Sequence, residues 1–178
     1  MRDSRHADPV AREDPRSEEV LVVDERCEGG IAAHSSVTRE GTVYGYRVRL
    51  TPRWIFSELA VHDDRGRSLA LRRSESGAWT AGGHDRPDLA AAVDIDLSFS
   101  PFTNTLPVRR LGLGIGESRD IVTAYVTPAL DVLPDPQRYT RTGERHYLYE
   151  SRDSDFRREI LVDADGLVVD YPGLFTRV

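Results

Sequence analysis

From Val43 the apolar and polar positions alternate: Tyr44, Tyr46, Val48 and Leu50 share one parity, Arg47 and Arg49 the other. Successive strand side chains point to opposite faces, so this is a half-buried strand with guanidinium groups outward. The same period recurs along the chain. Val20 to Val23 is a short β-branched run, Gly29 to Val37 is small-residue strand material, and Gly41-Thr42 turns the chain. Trp54 to Thr80 predicts a three-strand antiparallel meander, with Ile55, Leu59 and Val61 on one face and Asp63-Asp64-Arg65-Gly66 as a hairpin turn. Asp120 to Pro128 carries apolar residues on both parities, so both faces of that strand can be covered. Pro134-Asp135-Pro136 reads as a hard turn. A strand then starts at Gln137, and Tyr139, Arg141, Arg145, Tyr147 and Tyr149 share its parity. Phe156, Arg158, Ile160 and Val162 alternate again, and a turn over Asp163 to Gly166 leads into Leu167 to Tyr171.

Helical periodicity is scarce. The best helix candidate is His84 to Val93, where Asp85 can cap, Pro87 suits a first turn and the alanines propagate. With roughly nine to eleven short strands an open flat sheet is disfavoured, and closure by curling is expected. The predicted fold class is all-β with minor α: a curved, mainly antiparallel sheet forming an incomplete β-barrel with one or two short helices. No internal repeat of fixed period occurs.

Composition bounds the function. A length of 178 residues suits one domain with a proper core. Residues 1–18 are charged and Pro-bearing without apolar period, which predicts a disordered tail ahead of a single β-rich domain over 19–178. A formal charge of -6 argues against a generic nucleic-acid binder, because phosphate contact needs a dominant basic surface. Every basic residue other than histidine is Arg, which suits bidentate contacts but also follows from biased codon usage. Cys27 is the single cysteine, so neither an intramolecular disulfide nor a Cys-based metal cluster can form. His6, His34, His62, His84 and His146 show no metal-ligand spacing, no nucleophile signature of the G-x-S-x-G type occurs, and no cofactor is implied. The N-terminal residues hold no apolar core of the kind a signal peptide needs, and no run of about 18 apolar residues exists to span a membrane. The expected compartment is the cytoplasm.

Candidate chemistry concentrates between Asp94 and Ser118. Asp94 and Asp96 are two apart and on a strand share a face; desolvated side by side, they would repel and one pKa would rise. A solvated strand edge, contact with a polar ligand, and acid/base catalysis all fit that pair. Ser100 to Pro107 brackets Thr103, Asn104 and Thr105 between prolines. This predicts a rigid turn whose donors and acceptors are either structural or presented to sugar hydroxyls. Arg109 and Arg110, if on a strand, point to opposite faces, so one of them could meet a phosphate or carboxylate. Gly112, Gly114 and Gly116 would then leave a bare stripe for a packed element or a flat ring. Trp54, Trp79, Tyr139, Tyr147 and Tyr149 are core candidates, some of which would line a cavity if the curled sheet left its interior unfilled.

The strings D-x-D, SPFTNTLPVRRL, QRY, YLYES and VDADGLVVDYPGLFTR resemble the bacterial putative glycolipid-binding family, formerly a domain of unknown function. The resemblance runs from about Cys27 to the C-terminus, and TNTLPVRRL and DYPGLF are its most specific parts. It implies a fold similar to the carriers that localise lipoproteins, an incomplete barrel around an apolar interior. It also implies that the partner is an amphipathic small molecule or glycolipid. The expectation is therefore a non-catalytic binding protein, with an acyl-like tail in the barrel. Its polar headgroup would meet a rim of Asp94, Asp96, Thr103, Asn104 and one of Arg109 and Arg110, backed by Trp54, Trp79, Tyr139 and Tyr147. The alternatives are an enzyme acting on a glycolipid or ester with Asp94 or Asp96 as acid/base, and a structural or protein-interaction module.

Overall fold

Seven strands in a row, each hydrogen-bonded to the next, form the first half of the chain. They are β1 (Glu18–Asp24), β2 (Ile31–Arg39), β3 (Thr42–Leu50), β4 (Phe56–Asp63), β5 (Ser68–Arg73), β6 (Trp79–Ala81) and β7 (His84–Asp85). The computed structural model describes residues 18–25 and 29–177. The expected tail over residues 1–18, apart from Glu18, and the lone Cys27 lie outside them. The second half repeats the plan with β8 (Asp94–Leu97), β9 (Ser118–Val126), β10 (Val132–Arg141), β11 (His146–Ser151), β12 (Arg157–Val162), β13 (Val168–Tyr171) and β14 (Phe175–Thr176). Among the described residues the protein is all-β with one short α-helix, and its antiparallel sheet curls into a half-barrel. This agrees with the fold class the alternation predicts.

The alternation of β3 is realised residue by residue: Tyr44, Tyr46, Val48 and Leu50 are buried, while Arg47 and Arg49 are exposed. Tyr44 stacks on Phe99 at 4.0 Å and donates its hydroxyl to Pro128 O, so a first-half strand is tied to the second half. The carboxylate of Glu19 accepts hydroxyl hydrogen bonds from Ser35, Tyr46 and Ser100, fastening β1 to β2, β3 and the chain after β8.

One pairing breaks the antiparallel rule. β8 runs parallel to β9, with Asp94 opposite Thr123 and Asp96 opposite Tyr125. Parallel neighbours need a crossover, and residues 98–117 supply it. Here the structure corrects the sequence reading. Pro101–Asn104 is a 3₁₀ turn and Thr105–Leu111 is the α-helix, α1. Ser100 caps the 3₁₀ turn by accepting from Phe102 N at 3.2 Å, Pro101 occupies the first position of that turn, and Gly112 ends α1 at φ +56°, a left-handed position that suits glycine. The three glycines therefore do not form a strand stripe; they lie in the loop that leads to β9. The expected helix over His84 to Val93 is instead β7, a single 3₁₀ turn at Pro87–Leu89, and a turn leading to β8.

The Pro134-Asp135-Pro136 turn is also overturned, because all three residues lie within β10. Pro136 O accepts from Arg152 N, on the side away from β9, so the missing N–H of this proline falls where β11 has already ended. A proline there costs no ladder bond.

Two cores result. The larger joins both halves and includes Trp54, Phe56, Trp79, Phe99, Phe102 and Leu106. The smaller lies on the second half and packs Val108 of α1 against Tyr139, Tyr147, Tyr149, Ile160 and Tyr171. The helical crossover fills the space between them, so the interior expected to receive an acyl tail is packed with side chains.

Candidate functional site

β8 positions the two aspartates. Ile95 and Leu97 enter the larger core, which leaves Asp94 and Asp96 on the opposite face, as their spacing of two requires. They then take different roles. Asp94 is fully buried, and Arg110 in the last turn of α1 donates Nε and Nη2 to its carboxylate at 3.0 and 2.5 Å. Burial pushes the Asp94 carboxyl up, and the guanidinium opposes that rise. The pair clamps helix to strand. The outer edge of Arg110 borders an open groove with Arg119 and Arg152.

Arg109 leaves the helix in another direction. It donates Nη1 to Asp165 O at 2.7 Å, lies 3.5 Å from Glu25 and stacks 4.6 Å above the Trp54 ring. The strand geometry expected for the arginine pair is therefore replaced by a helical one. Trp54, Trp79 and Tyr147 are buried: Trp79 stacks on Phe56 and donates its indole N–H to Ala92 O at 3.0 Å, and Arg141 lies over the Tyr147 ring.

Asp96 opens into a cleft of about 370 Å³. Asp96, Leu97 and Ser98 line it from β8 and the residue after it, Asn104 from the 3₁₀ turn, Tyr125 from β9, and Asp135 from β10. Aromatic walls come from Tyr149, Phe156, Tyr171 and Phe175, and Arg39 of β2 closes one side. Of the sequence-predicted site residues, Asp96 and Asn104 are brought together here. Thr103 and Tyr139 hold them in place. Thr103 donates its hydroxyl to Asp96 Oδ1 at 3.2 Å, and Tyr139 donates to Asn104 Oδ1 at 2.8 Å. Asp94, Arg109, Arg110, Trp54, Trp79 and Tyr147 are not on the cleft wall.

The residue that organises the cleft floor is Gln137, fully buried in β10. Its Nε2 donates to Asp96 Oδ2 at 2.8 Å and to Asp135 Oδ2 at 2.6 Å, so one amide holds two carboxylates side by side. Burial, aided by the neighbouring Asp135 charge, pushes Asp96 up to about 6. Asp135 is raised as well, by burial first and then by Asp153. Tyr125, Tyr149 and Tyr171 have raised phenol pKa values, from burial and then from the Asp96 charge. Arg39 does not neutralise the acids: its guanidinium sits 5.0 Å over Phe175 and 3.8 Å from Glu40, and its buried Nη1 has no acceptor among the described residues.

Of the aromatic cavity candidates, Tyr149 does line the cleft. Sequence reasoning missed Arg39, Tyr125, Asp135 and Tyr171 as cleft residues, and Gln137 behind them. A signal existed for two of these, since Gln137 and Tyr171 lie in the QRY and DYPGLF strings. Arg39 and Asp135 come from a strand end and from between prolines, and nothing local marks them.

Comparison with known proteins agrees with this architecture. The family model described as "Putative glycolipid-binding" matches residues 11–177. A crystal structure of a DUF1089 family protein from Pseudomonas aeruginosa superposes with a TM-score of 0.81 at 37% identity, covering 100% of both chains. No curated protein matches. Among the described residues no helix is long and apolar enough to cross a membrane, and no group of His, Cys, Asp and Glu is placed to hold a metal.

Proposed function

This chain belongs to the putative glycolipid-binding family, and on that premise we propose that it binds an amphipathic glycolipid without transforming it, the sugar headgroup entering the Asp96 cleft. The observation that carries this reading is the composition of the cleft wall: Asp96, Asn104 and Asp135 beside Tyr149, Tyr171 and Phe175. Carboxylates and an amide accept from sugar hydroxyls, and aromatic faces take the C–H faces of a pyranose ring. A volume of about 370 Å³ lies at the low end of ligand pockets, which run from roughly 300 to 1,000 Å³, and fits a headgroup better than a long tail. With the interior packed, the tail would run outward over Phe156 and Leu174. Asp94, Thr103, Arg110 and Tyr139 support the cleft, and Arg109, Trp54, Trp79 and Tyr147 stabilise the frame around it.

Native mass spectrometry of protein purified from its own host tests the proposal. A glycolipid-mass adduct that is lost in Tyr149→Ala is expected. Absence of any adduct, together with no calorimetric binding of short alkyl glycosides, would overturn it.

A second reading, hydrolysis with Asp96 as general acid, draws on a carboxyl pushed up to about 6 in a cleft. The Gln137 amide opposes it, because that group occupies the gap between Asp96 and Asp135 where a scissile bond would have to lie. Release of nitrophenol from an aryl glycoside by the wild type and its loss in Asp96→Asn would favour hydrolysis.

A further inference from the structure

Strand lengths in the second sheet are unequal where β8 meets β9, and the mismatch opens a notch. β9 pairs with β10 from Ser118 to Val126, but β8 joins its other side only from Thr123 on. Over Ser118 to Ile121 no strand covers that edge of β9 among the described residues. The end of α1 meets β9 at this gap, and an open groove of about 610 Å³ remains. It shares no lining residue with the Asp96 cleft. Its volume lies well inside the range of ligand pockets, roughly 300 to 1,000 Å³.

The floor of the groove is apolar and held in place. Val93, Leu111, Ile121, Val122 and Pro136 line it; Leu111 and Ile121 pack on the smaller core and Val122 on the larger. The rim is cationic. Arg110 comes from α1, Arg119 from β9 and Arg152 from the bend after β11, against one carboxylate, Asp120. That carboxylate is already occupied: Arg138 donates Nε and Nη2 to it at 2.7 Å each, and Arg152 Nε lies 3.6 Å away. Glu150, the acid opposite Arg138 on β11, does not line the groove. Arg110 uses Nε and Nη2 on Asp94, which leaves its Nη1 without a partner, and Arg119 pairs with no group among the described residues. A chain of formal charge -6 thus gathers free guanidinium donors around one apolar surface. Forked N–H donors match the oxygens of a phosphate or carboxylate, and like charges crowded on one rim repel until an anion joins them.

We propose that this groove is a second binding site, for a single-chain amphiphile with an anionic head. The head, a phosphate monoester or carboxylate, meets Arg119 and Arg152, and the chain lies on Leu111, Ile121 and Val122. Charge complementarity sets the sign of the head, and the floor sets the apolar body. An acidic peptide added to the open edge of β9 is the competing occupant. The free edge disfavours it, because Ser118 to Ile121 is shorter than an ordinary strand of about five to six residues.

Isothermal titration at pH 7 with decyl phosphate, kept below its micelle concentration, tests the proposal against inorganic phosphate and decyltrimethylammonium. Decyl phosphate is expected to bind about tenfold tighter than either control. Its affinity should fall severalfold from about 50 to about 300 mM NaCl, because the rim charges are exposed and screened. Replacing both exposed arginines, Arg119→Gln with Arg152→Gln, is expected to cost about tenfold in decyl phosphate affinity and to leave binding of short alkyl glycosides as it is. The salt and control arms use the unmodified protein, so they decide the matter even if the double variant does not fold. No binding of decyl phosphate, or binding that ignores both salt and the double variant, would overturn the site. Inorganic phosphate binding as tightly as decyl phosphate would overturn the amphiphile. A peptide of alternating Glu and Val that binds more tightly than decyl phosphate would overturn it in favour of a protein partner. Decyl phosphate behaving as expected while alkyl glycosides fail to bind would support this site and overturn the cleft proposal alone.

Discussion

Arg110 grips the buried carboxylate of Asp94 through two nitrogens, Nε at 3.0 Å and Nη2 at 2.5 Å. Among the described residues, the pair joins the last turn of the only α-helix to the only parallel strand pairing, β8 on β9. Bidentate geometry makes this one of the stronger arrangements for an ion pair, and burial makes it costly to break. Breaking it also threatens the cleft, because Asp96 follows two residues later on the same strand.

Removing one partner leaves the other buried and uncompensated. Arg110→Met and Asp94→Ala are each expected to lower unfolding stability by about 3–5 kcal/mol. The double variant should lose less than the sum of the two. Urea unfolding of the three proteins checks the cycle, and strict additivity would show that the clamp is not coupled.

Asp96 sets a pH signature opposite in sign to most carboxylates. Its carboxyl is pushed up to about 6, above the ordinary value of about 3.8, so the folded state binds the proton more tightly than the unfolded chain. The contribution of this group is therefore most favourable below about 3.8 and is progressively lost as pH rises through about 6. Asp63, Asp88, Asp120 and Asp163, all lowered, act the other way, so the total curve mixes both signs. The difference between wild type and Asp96→Asn isolates it. The Asn variant should gain relative stability between pH 4 and pH 7, and a flat difference in denaturation midpoint would contradict the buried carboxyl.

Tyr139→Phe removes the hydroxyl that Asn104 accepts at 2.8 Å and leaves a buried amide oxygen short of its donor. The expected cost is about 1–3 kcal/mol in thermal or urea unfolding. Because Asn104 lines the cleft, glycoside affinity should also fall. Unchanged stability and affinity would mean that Asn104 is held by its neighbours alone.

The period-two alternation carried the strands. A parity of Tyr44, Tyr46, Val48 and Leu50 admits only one buried face for β3, and the structure buries it. The spacing of Asp94 and Asp96 likewise put both on one face of a strand. Local signals for the helical crossover were present too, a Ser-Pro entry to the 3₁₀ turn and a glycine exit from α1. Two prolines within seven residues made a turn the simpler reading, and only packing between two cores rewards the helix. What the alternation left open was which of the two acids would be clamped and which would face solvent-accessible space. That depends on α1 returning Arg110 to Asp94 across 16 positions of sequence and on β10 bringing Gln137 to Asp96 across 41. Such contacts are fixed by strand register and helix direction, which are properties of the whole sheet rather than of any local run of residues. The sequence alone therefore determined an all-β chain with a polar patch near Asp94 to Arg110. The tertiary structure divided that patch into a buried ion pair and an acidic, aromatic-walled cleft.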